Sequence, residues 1–149
     1  MSRSTELMTA SYVAAFVGAR HPDRVNTDLI AKMVQTHPTR VRRIVSKLVK
    51  AGILLSSRGG NGGVSLAREA NKITLADIYD AVQDQTVLKL GLHNPFSEWS
   101  DHCFIHSTFE RVHSDLETKF RSDLADIKLS EMFKPWAPVK KKAEVSSAA

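Results

Sequence analysis

The residues of this 149-residue chain best suited to chemistry are its cations, which are concentrated in one stretch. Between Leu29 and Arg68 there are eight Lys and Arg residues and no Asp or Glu, whereas the remainder of the chain is slightly acidic. Such segregation predicts an electropositive surface that binds a polyanion. The alternative is a solvated helix face that happens to be basic. The eight residues are Lys32, Arg40, Arg42, Arg43, Lys47, Lys50, Arg58 and Arg68.

A second reactive group is the single cysteine, Cys103, which lies beside His102 and three residues before His106. A lone cysteine excludes an internal disulfide and fits a reducing compartment. Nearby histidines and a predicted helix start both lower the pKa of a thiol, so Cys103 is a candidate redox residue. A catalytic Cys–His pair is not predicted, because only His106 has helical spacing to Cys103 and no orienting Asp or Asn is evident.

Most of the cations are carried by a run of three predicted helices. Apolar residues at helical spacing predict a first helix over residues 4–19. A second helix begins at an Asn26 or Thr27 cap and extends to about Val34, and Pro38 suits the first turn of a third. The third helix carries cations around most of its surface and one apolar stripe, which consists of Val41, Ile44, Val45 and Leu48.

The stretch SSRGGNGGVSL, residues 56–66, holds four of the chain's seven glycines within five positions. It lacks the Gly-Lys-Ser/Thr ending of a nucleotide-binding loop, and strand-like runs lie on both sides of it. We therefore predict a β-hairpin with strands over 53–58 and 64–66 and with the glycines at its tip. Glycines there permit positive φ angles and allow backbone amides to approach phosphates.

Three helices followed by a hairpin predict a winged helix-turn-helix, so the predicted fold class is mainly α with a small β-hairpin. In such a domain the third helix enters the major groove, and its N-terminal side chains reach base edges. Arginine is the best bidentate reader of guanine, Lys47 lies further along and suits a phosphate, and Arg58 suits the minor groove. The predicted DNA-contacting residues are Thr36, His37, Thr39, Arg40, Arg42, Arg43, Lys47, Arg58, Gly59 and Asn61.

A long apolar seam is predicted on a helix from Cys103 to about Ile127. Its members recur every three or four residues, which suits packing along a second long helix. Since no other long helix is evident, the predicted partner is the same helix of a second copy, and packing on the N-terminal helices is the alternative. The predicted dimer-interface residues are Ile105, Phe109, Val112, Leu116 and Phe120, and Leu124 continues the seam.

These elements divide the chain into four predicted parts. Residues 1–82 form the DNA-binding domain, 83–103 a sensor-type loop, 104–134 the dimerisation helix region and 135–149 a disordered tail. Within the first part, Thr74 and Asp77 have the spacing of a capping box at the start of a further helix. The sequence contains no apolar run long enough for a membrane span and no recognisable signal peptide, so we expect a cytoplasmic protein.

The stretch KLVKAGILLSSRGGNGGVSLAREANKITLADIYDAV, residues 47–82, resembles the bacterial IscR/NsrR, or Rrf2, family of regulators. The shared pattern is a Leu-x-x-Ala/Asn-Gly step, an Arg-Gly-x-x-Gly-Gly wing and an Ile-Thr-Leu-x-Asp-Ile helix start. The resemblance covers roughly residues 4–134 and implies a homodimeric DNA-binding regulator whose long helices cross at the dimer interface. The residues that it implies on DNA are His37, Thr39 and Arg42 at bases and Arg58 in the minor groove.

The chain departs from this family in its sensor region. Well-known members hold an iron–sulfur cluster with three cysteines before the long helix, whereas only Cys103 is present here, at what looks like the last of those positions. No cofactor and no metal site are predicted. The alternatives are a cluster with mixed Cys/His ligation, a redox-reactive thiol, a thiol without a sensing role, and a small-molecule effector. The neighbouring histidines are His93, His102, His106 and His113.

Taken together, the residues predict a sequence-specific DNA-binding transcriptional regulator and not an enzyme. We expect a homodimeric repressor that binds double-stranded DNA at a pseudo-palindromic operator, with redox sensing through Cys103. A sequence-independent DNA-packaging protein is the alternative from another class. That alternative predicts basic charge spread over the whole molecule rather than confined to one helix and a wing.

Overall fold

The computed structural model describes residues 3–60, 62–83 and 104–133. These ranges form six α-helices, one two-stranded antiparallel sheet and a short 3-10 turn. The elements are α1 (Arg3–Ala19), α2 (Thr27–Met33), α3 (Pro38–Lys50), β1 (Leu54–Ser57), β2 (Gly63–Leu66), the 3-10 turn (Ala70–Lys72), α4 (Leu75–Val82), α5 (Phe104–Ala125) and α6 (Leu129–Met132).

The hydrophobic core is built around α1. This helix contacts α2, α3, α4, α6 and β2, and its middle turns are almost free of solvent because Val13, Phe16 and Val17 are fully buried. The predicted apolar stripe of α3 faces this core, with Ile44 and Leu48 fully buried. Burying one such side chain stabilises the fold by about 1.5–3 kcal/mol, so the stripe fixes which face of α3 remains for solvent.

The first strand of the hairpin is shorter than predicted, and the second begins one residue earlier, at Gly63. The register of the hairpin runs from Leu54 opposite Leu66 to Ser57 opposite Gly63, so Arg58 lies just beyond the last pair rather than inside a strand. Val25 adds a third, one-residue strand: its N–H donates to the Val64 carbonyl at 2.8 Å and its carbonyl accepts from the Val64 N–H at 2.9 Å. These bonds attach the hairpin to the connection between α1 and α2.

The C-terminal end of the described chain returns to the start of α4. The Leu75 N–H donates to the Ile127 carbonyl at 2.9 Å, and the Leu129 N–H donates to the Ile73 carbonyl at 2.8 Å. This pairing ends the long helix at Ala125, two residues before its predicted end, and starts the unpredicted helix α6. Leu129 is fully buried, which explains why the chain turns inward there.

Among the described residues, the C-terminal part of α5 lies against α4. Leu124 is 8% exposed and contacts the cluster formed by Ala76 and Tyr79, so it belongs to the core of its own chain and does not continue the exposed seam. The predicted sites at Asn61 and Cys103, most of the predicted sensor-type loop and the predicted tail lie outside the described residues. No described helix is both long and apolar enough to cross a membrane.

Candidate nucleic-acid interface

Helix α3 has one face in the core and one face in solvent. Val41, Ile44, Val45 and Leu48 point inward, as the sequence pattern predicts. Arg42 and Arg43 lie between these positions on the outside, with side chains that are 61% and 65% exposed. Arg40 is half-buried and Thr39 is exposed. The outward face is therefore cationic and accessible, as a helix that enters a major groove must be.

His37, one of the predicted DNA-contacting residues, also caps α3. Its Nδ1 accepts a hydrogen bond from the Thr39 backbone N–H at 3.3 Å, which satisfies one of the donors left free at a helix start. Because Nδ1 is the acceptor, the ring proton of the neutral imidazole lies on Nε2. The cap thus leaves an N–H donor on the exposed side of His37 that suits an acceptor on a base edge.

The turn between α2 and α3 sets the angle at which α3 leaves the domain. The Thr36 N–H donates to the Ala31 carbonyl at 3.0 Å across the end of α2, and Val34 N–H donates to Ile30 at 2.9 Å. Gln35 occupies the left-handed position of this helix stop, with φ of 54°, where glycine is the usual residue. Thr36 and His37 follow directly, so this turn positions the N-terminal end of the interface.

Four cations of the acid-free stretch have carboxylate partners from elsewhere in the chain. One of them is Arg68, whose Nη2 lies 3.3 Å from Asp77 Oδ2. Arg42 Nη2 lies 3.2 Å from Asp28 Oδ1 at the start of α2. Glu6 of α1 accepts from Arg43 Nη2 at 3.3 Å and from Lys47 Nζ at 3.1 Å. These pairs were not predicted from the sequence, because Glu6, Asp28 and Asp77 all lie outside the acid-free stretch. The Arg42 pair is exposed on both sides, so exchanging Asp28 for a phosphate costs at most about 1 kcal/mol.

The wing begins where β1 ends. Arg58 and Gly59 are exposed beyond the last hairpin pair, and the Gly62 N–H closes the turn by donating to the Gly59 carbonyl at 2.9 Å. Gly59 has φ of 109°, a conformation that other residues rarely adopt. A Cβ on Gly62 would lie 2.5 Å from the Ser57 carbonyl oxygen, so this tight tip requires glycine there too. β1 packs against α3, which sets the wing beside that helix.

Arg24 is a wing residue that the sequence reasoning missed. It precedes the basic stretch, yet its Nη1 donates to the Ser57 hydroxyl of β1 at 2.6 Å, and its Cβ lies close to Gly63. The exposed guanidinium therefore stands at the base of the wing. The sequence signal that could have indicated this position is the apolar residue Val25 directly after Arg24, because Val25 pairs with Val64 of the hairpin.

The predicted dimer seam is exposed. Ile105 is 71% exposed and Leu116 is 48% exposed, and the other three members are exposed as well. They share one side of α5 because they recur every three or four residues. Phe104, directly before them, is 86% exposed. Within the described residues, this face of α5 carries large apolar side chains that the chain itself leaves in water, and apolar patches of this kind mark contact surfaces.

Comparison with known proteins identifies the family to which this chain belongs. A family model described as Rrf2, iron-dependent transcriptional regulator, matches residues 3–135. The chain belongs to the Rrf2 family. It is 31% identical over 110 residues to a Bacillus subtilis protein named as an HTH-type transcriptional regulator, YwnA, with 74% of this chain and 82% of that protein covered. It is 26% identical over 125 residues to the regulator NsrR of Oceanobacillus iheyensis, with 82% of each covered.

The fold comparison agrees with the sequence comparison. The solved structure of T. potens IscR matches this Rrf2 protein with a TM-score of 0.61 and 26% identity, over 92% of this chain and 89% of that chain. The predicted family, the predicted winged-helix fold class and the prediction of a DNA-binding transcriptional regulator that is not an enzyme are confirmed.

The family description names iron, but the described residues do not fit an iron or iron–sulfur site. In residues 3–60, 62–83 and 104–133, no three His, Cys, Asp or Glu side chains lie together in a way that could hold a metal ion. His106 Nε2 instead lies 3.2 Å from Glu110 Oε1 on the same helix. The single thiol, Cys103, is outside the described residues, so its sensing role stays a prediction.

Proposed function

We propose that this Rrf2-family protein is a homodimeric, sequence-specific repressor that acts in the cytoplasm at a pseudo-palindromic operator. The observation that carries the proposal is the exposed apolar seam of α5, which gives a DNA-binding monomer a surface for pairing with a second copy. A two-fold dimer uses the same surface on both copies, so one self-complementary seam suffices. Two recognition helices then read two half-sites about one helical turn, or a small multiple, apart.

The dimensions of α5 suit this arrangement. Its 22 residues make a rod about 33 Å long at about 1.5 Å per residue. Ile105 and Phe109 occupy its N-terminal half, beyond the part that packs on α4, whereas Phe120 lies next to Tyr79 of the DNA-binding domain. A partner helix laid along the seam would cover the apolar side chains that each chain leaves exposed.

On DNA, the exposed end of α3 is proposed to enter the major groove. His37 would present its Nε2–H, and Arg42 would exchange Asp28 for the acceptor edge of a guanine. Thr36, Thr39, Arg40 and Arg43 would line the same groove or its flanking phosphates. The support for this is the exposure of Thr39, Arg42 and Arg43 around the His37 cap.

The wing is proposed to contact the adjacent minor groove. Arg58 leads into the tip and Gly59 keeps the backbone there free of a side chain, while Arg24 supports the base from the neighbouring connection. Asn61 at the tip remains a predicted contact outside the described residues. Narrow minor grooves have an enhanced negative potential that attracts arginine, so Arg58 is the residue of the wing expected to contribute most.

Redox control is proposed to act through Cys103, which precedes the first residue of α5. A thiol at that point of the chain is well placed to change how α5 begins, because oxidation replaces a small thiol by a larger and more polar group. The test compares oxidant titrations of DNA binding for the parent and Cys103→Ser. Identical titrations in the two proteins would remove thiol sensing from the proposal.

The decisive experiment selects duplexes from a randomised library with the purified protein. We expect an enriched pseudo-palindrome, protection of both half-sites in a footprint, and two protein chains per duplex by light scattering. An in vitro transcription assay with the selected duplex inside a promoter then tests repression. Binding of one chain per site, or enrichment of no sequence at all, would contradict the proposal.

A further inference from the structure

Lys47 differs from the other cations of α3 in where its charge lies. Its side chain is 20% exposed, compared with 61% for Arg42. Its Nζ donates to Glu6 Oε1 of α1 at 3.1 Å and to the Val82 backbone carbonyl at the end of α4 at 3.0 Å. Two hydrogen bonds inside the domain occupy most of the donor capacity of one ammonium group.

These two bonds join α3 to α1 and α4, two of the helices that pack against it. The Val82 carbonyl is one of the acceptors left unpaired at a helix C-terminus, where a cation is also favoured by the helix dipole. Glu6 is 21% exposed and accepts from Arg43 as well, so one carboxylate of α1 is shared by two cations of α3. If Lys47 moved onto a phosphate, the partly buried Glu6 carboxylate and the Val82 carbonyl would each lose a hydrogen-bond donor. This loss costs more free energy than breaking an exposed ion pair.

We propose that Lys47 is a positioning residue, which holds α3 at a fixed angle to α1 and α4 through Glu6 and the Val82 carbonyl, rather than a phosphate ligand. This inference rests on the proposed sequence-specific binding by α3. Its consequence is that the ammonium contributes to sequence discrimination without adding to the electrostatic attraction for DNA. Val82 is the last residue of α4, so this bond couples the C-terminal end of α4 to α3.

The test measures affinity against salt for two duplexes of equal length: one selected from a randomised library by the unmodified protein, and a scrambled version of it. The variant is Lys47→Met, which keeps the aliphatic stem and removes the ammonium. We expect the affinity for the selected duplex to fall about tenfold, the equivalent of one good base contact, with little change for the scrambled duplex or in the salt slope. Lys47→Arg should retain both affinities, because a guanidinium can donate to the same two acceptors.

A phosphate contact gives a different pattern. Both affinities would then fall together and the salt slope would decrease by about one ion, which would overturn the inference, as would unchanged binding to both duplexes. Lys50→Met is the matched control, since Lys50 is an exposed lysine at the end of the same helix.

Glu6→Gln tests the same contact from α1 and covers the case in which Lys47→Met does not fold. It leaves every cation of α3 in place, so a phosphate role for Lys47 predicts equal or tighter binding to both duplexes. The positioning role predicts weaker binding to the selected duplex alone. If the unmodified protein selected no duplex, the proposed function itself would be contradicted. That outcome is distinct from a failure of the positioning role of Lys47, which is measured on variants.

Discussion

Tyr79 of α4 and Glu117 of α5 are joined by a hydrogen bond in which the phenolic hydroxyl donates to a carboxylate oxygen. The same ring meets Phe120 edge-on, with ring centroids 5.6 Å apart. Arg121 of α5 pairs with Asp80, the next residue along α4. Within the described residues, these contacts fasten the C-terminal half of α5 to α4, while the exposed seam extends towards the N-terminal end of α5. The side chains of α4 are therefore among those that a displacement of α5 would disturb.

Tyr79→Phe should destabilise the protein by about 1–2 kcal/mol, because the half-buried carboxylate of Glu117 loses its donor while the aromatic contact with Phe120 remains. Urea denaturation at fixed protein concentration measures the change in the free energy of unfolding. Tyr12→Phe is the control, since the Tyr12 ring is half exposed on α1. Equal effects of the two substitutions would contradict a specific role for the Tyr79–Glu117 bond.

Local sequence signals predicted much of the DNA-binding part. The Thr74–Asp77 capping box forms as expected: the Asp77 N–H donates to the Thr74 hydroxyl at 3.1 Å and the Thr74 N–H donates to Asp77 Oδ2 at 2.9 Å. The start of α3 at Pro38 and its buried apolar stripe were also predicted from the sequence. These features can be predicted from the sequence because each depends on residues within one or two helical turns of one another.

Contacts between residues that are far apart in the sequence could not be predicted in the same way. A stretch without acids suggests a row of unpaired cations, yet Glu6 and Asp28 reach three of them once α1 and α2 pack beside α3. Helix α6 was also missed, because its four residues gain their stability from the burial of Leu129 and not from helical periodicity. Tertiary packing decides both outcomes, and a single sequence carries little trace of it.

Arg42→Ala and Arg58→Ala should each weaken binding to a selected duplex by about 1–3 kcal/mol, since each removes an arginine proposed to reach a groove. Thermal unfolding should change little for Arg42→Ala, because its pair with Asp28 is exposed on both sides. Fluorescence anisotropy over a series of salt concentrations measures both affinity and slope. Asp28→Asn, which releases Arg42 without removing it, is the control and should not weaken binding.

Leu116→Glu should convert the proposed dimer into a monomer, because a carboxylate in the middle of an apolar helix pair is costly to bury. Size-exclusion chromatography with light scattering gives the mass of each variant. Ser114→Glu places the same charge on the opposite side of α5 and should leave the dimer intact. A Leu116→Glu protein that keeps the mass of the parent would contradict dimerisation through the seam.

His37 can be separated into its capping and DNA-binding roles by two substitutions. His37→Ala removes the cap and should cost about 1 kcal/mol of stability, whereas His37→Asn restores a good cap and should not. Both remove the exposed Nε2–H, so both should weaken binding to the selected duplex. If His37→Asn binds that duplex like the parent, the imidazole serves only to start α3, and the proposed base contact is wrong.

Gln35→Gly should stabilise the protein, because Gln35 adopts the left-handed conformation at the end of α2, with φ of 54°. That conformation costs an L-residue about 1–2 kcal/mol, which glycine avoids. Glycine is also more flexible in the unfolded chain, which lowers the stability of the folded protein by about 0.4–1 kcal/mol. The expected net increase in the free energy of unfolding is therefore roughly 0.5–1 kcal/mol. Urea denaturation measures it, with Gln35→Ala as a control that keeps the strain and should gain nothing. DNA binding should be retained, since glycine preserves the bond from Thr36 to Ala31 that positions α3. A stabilised protein that no longer binds the selected duplex would instead show that the Gln35 side chain contacts DNA.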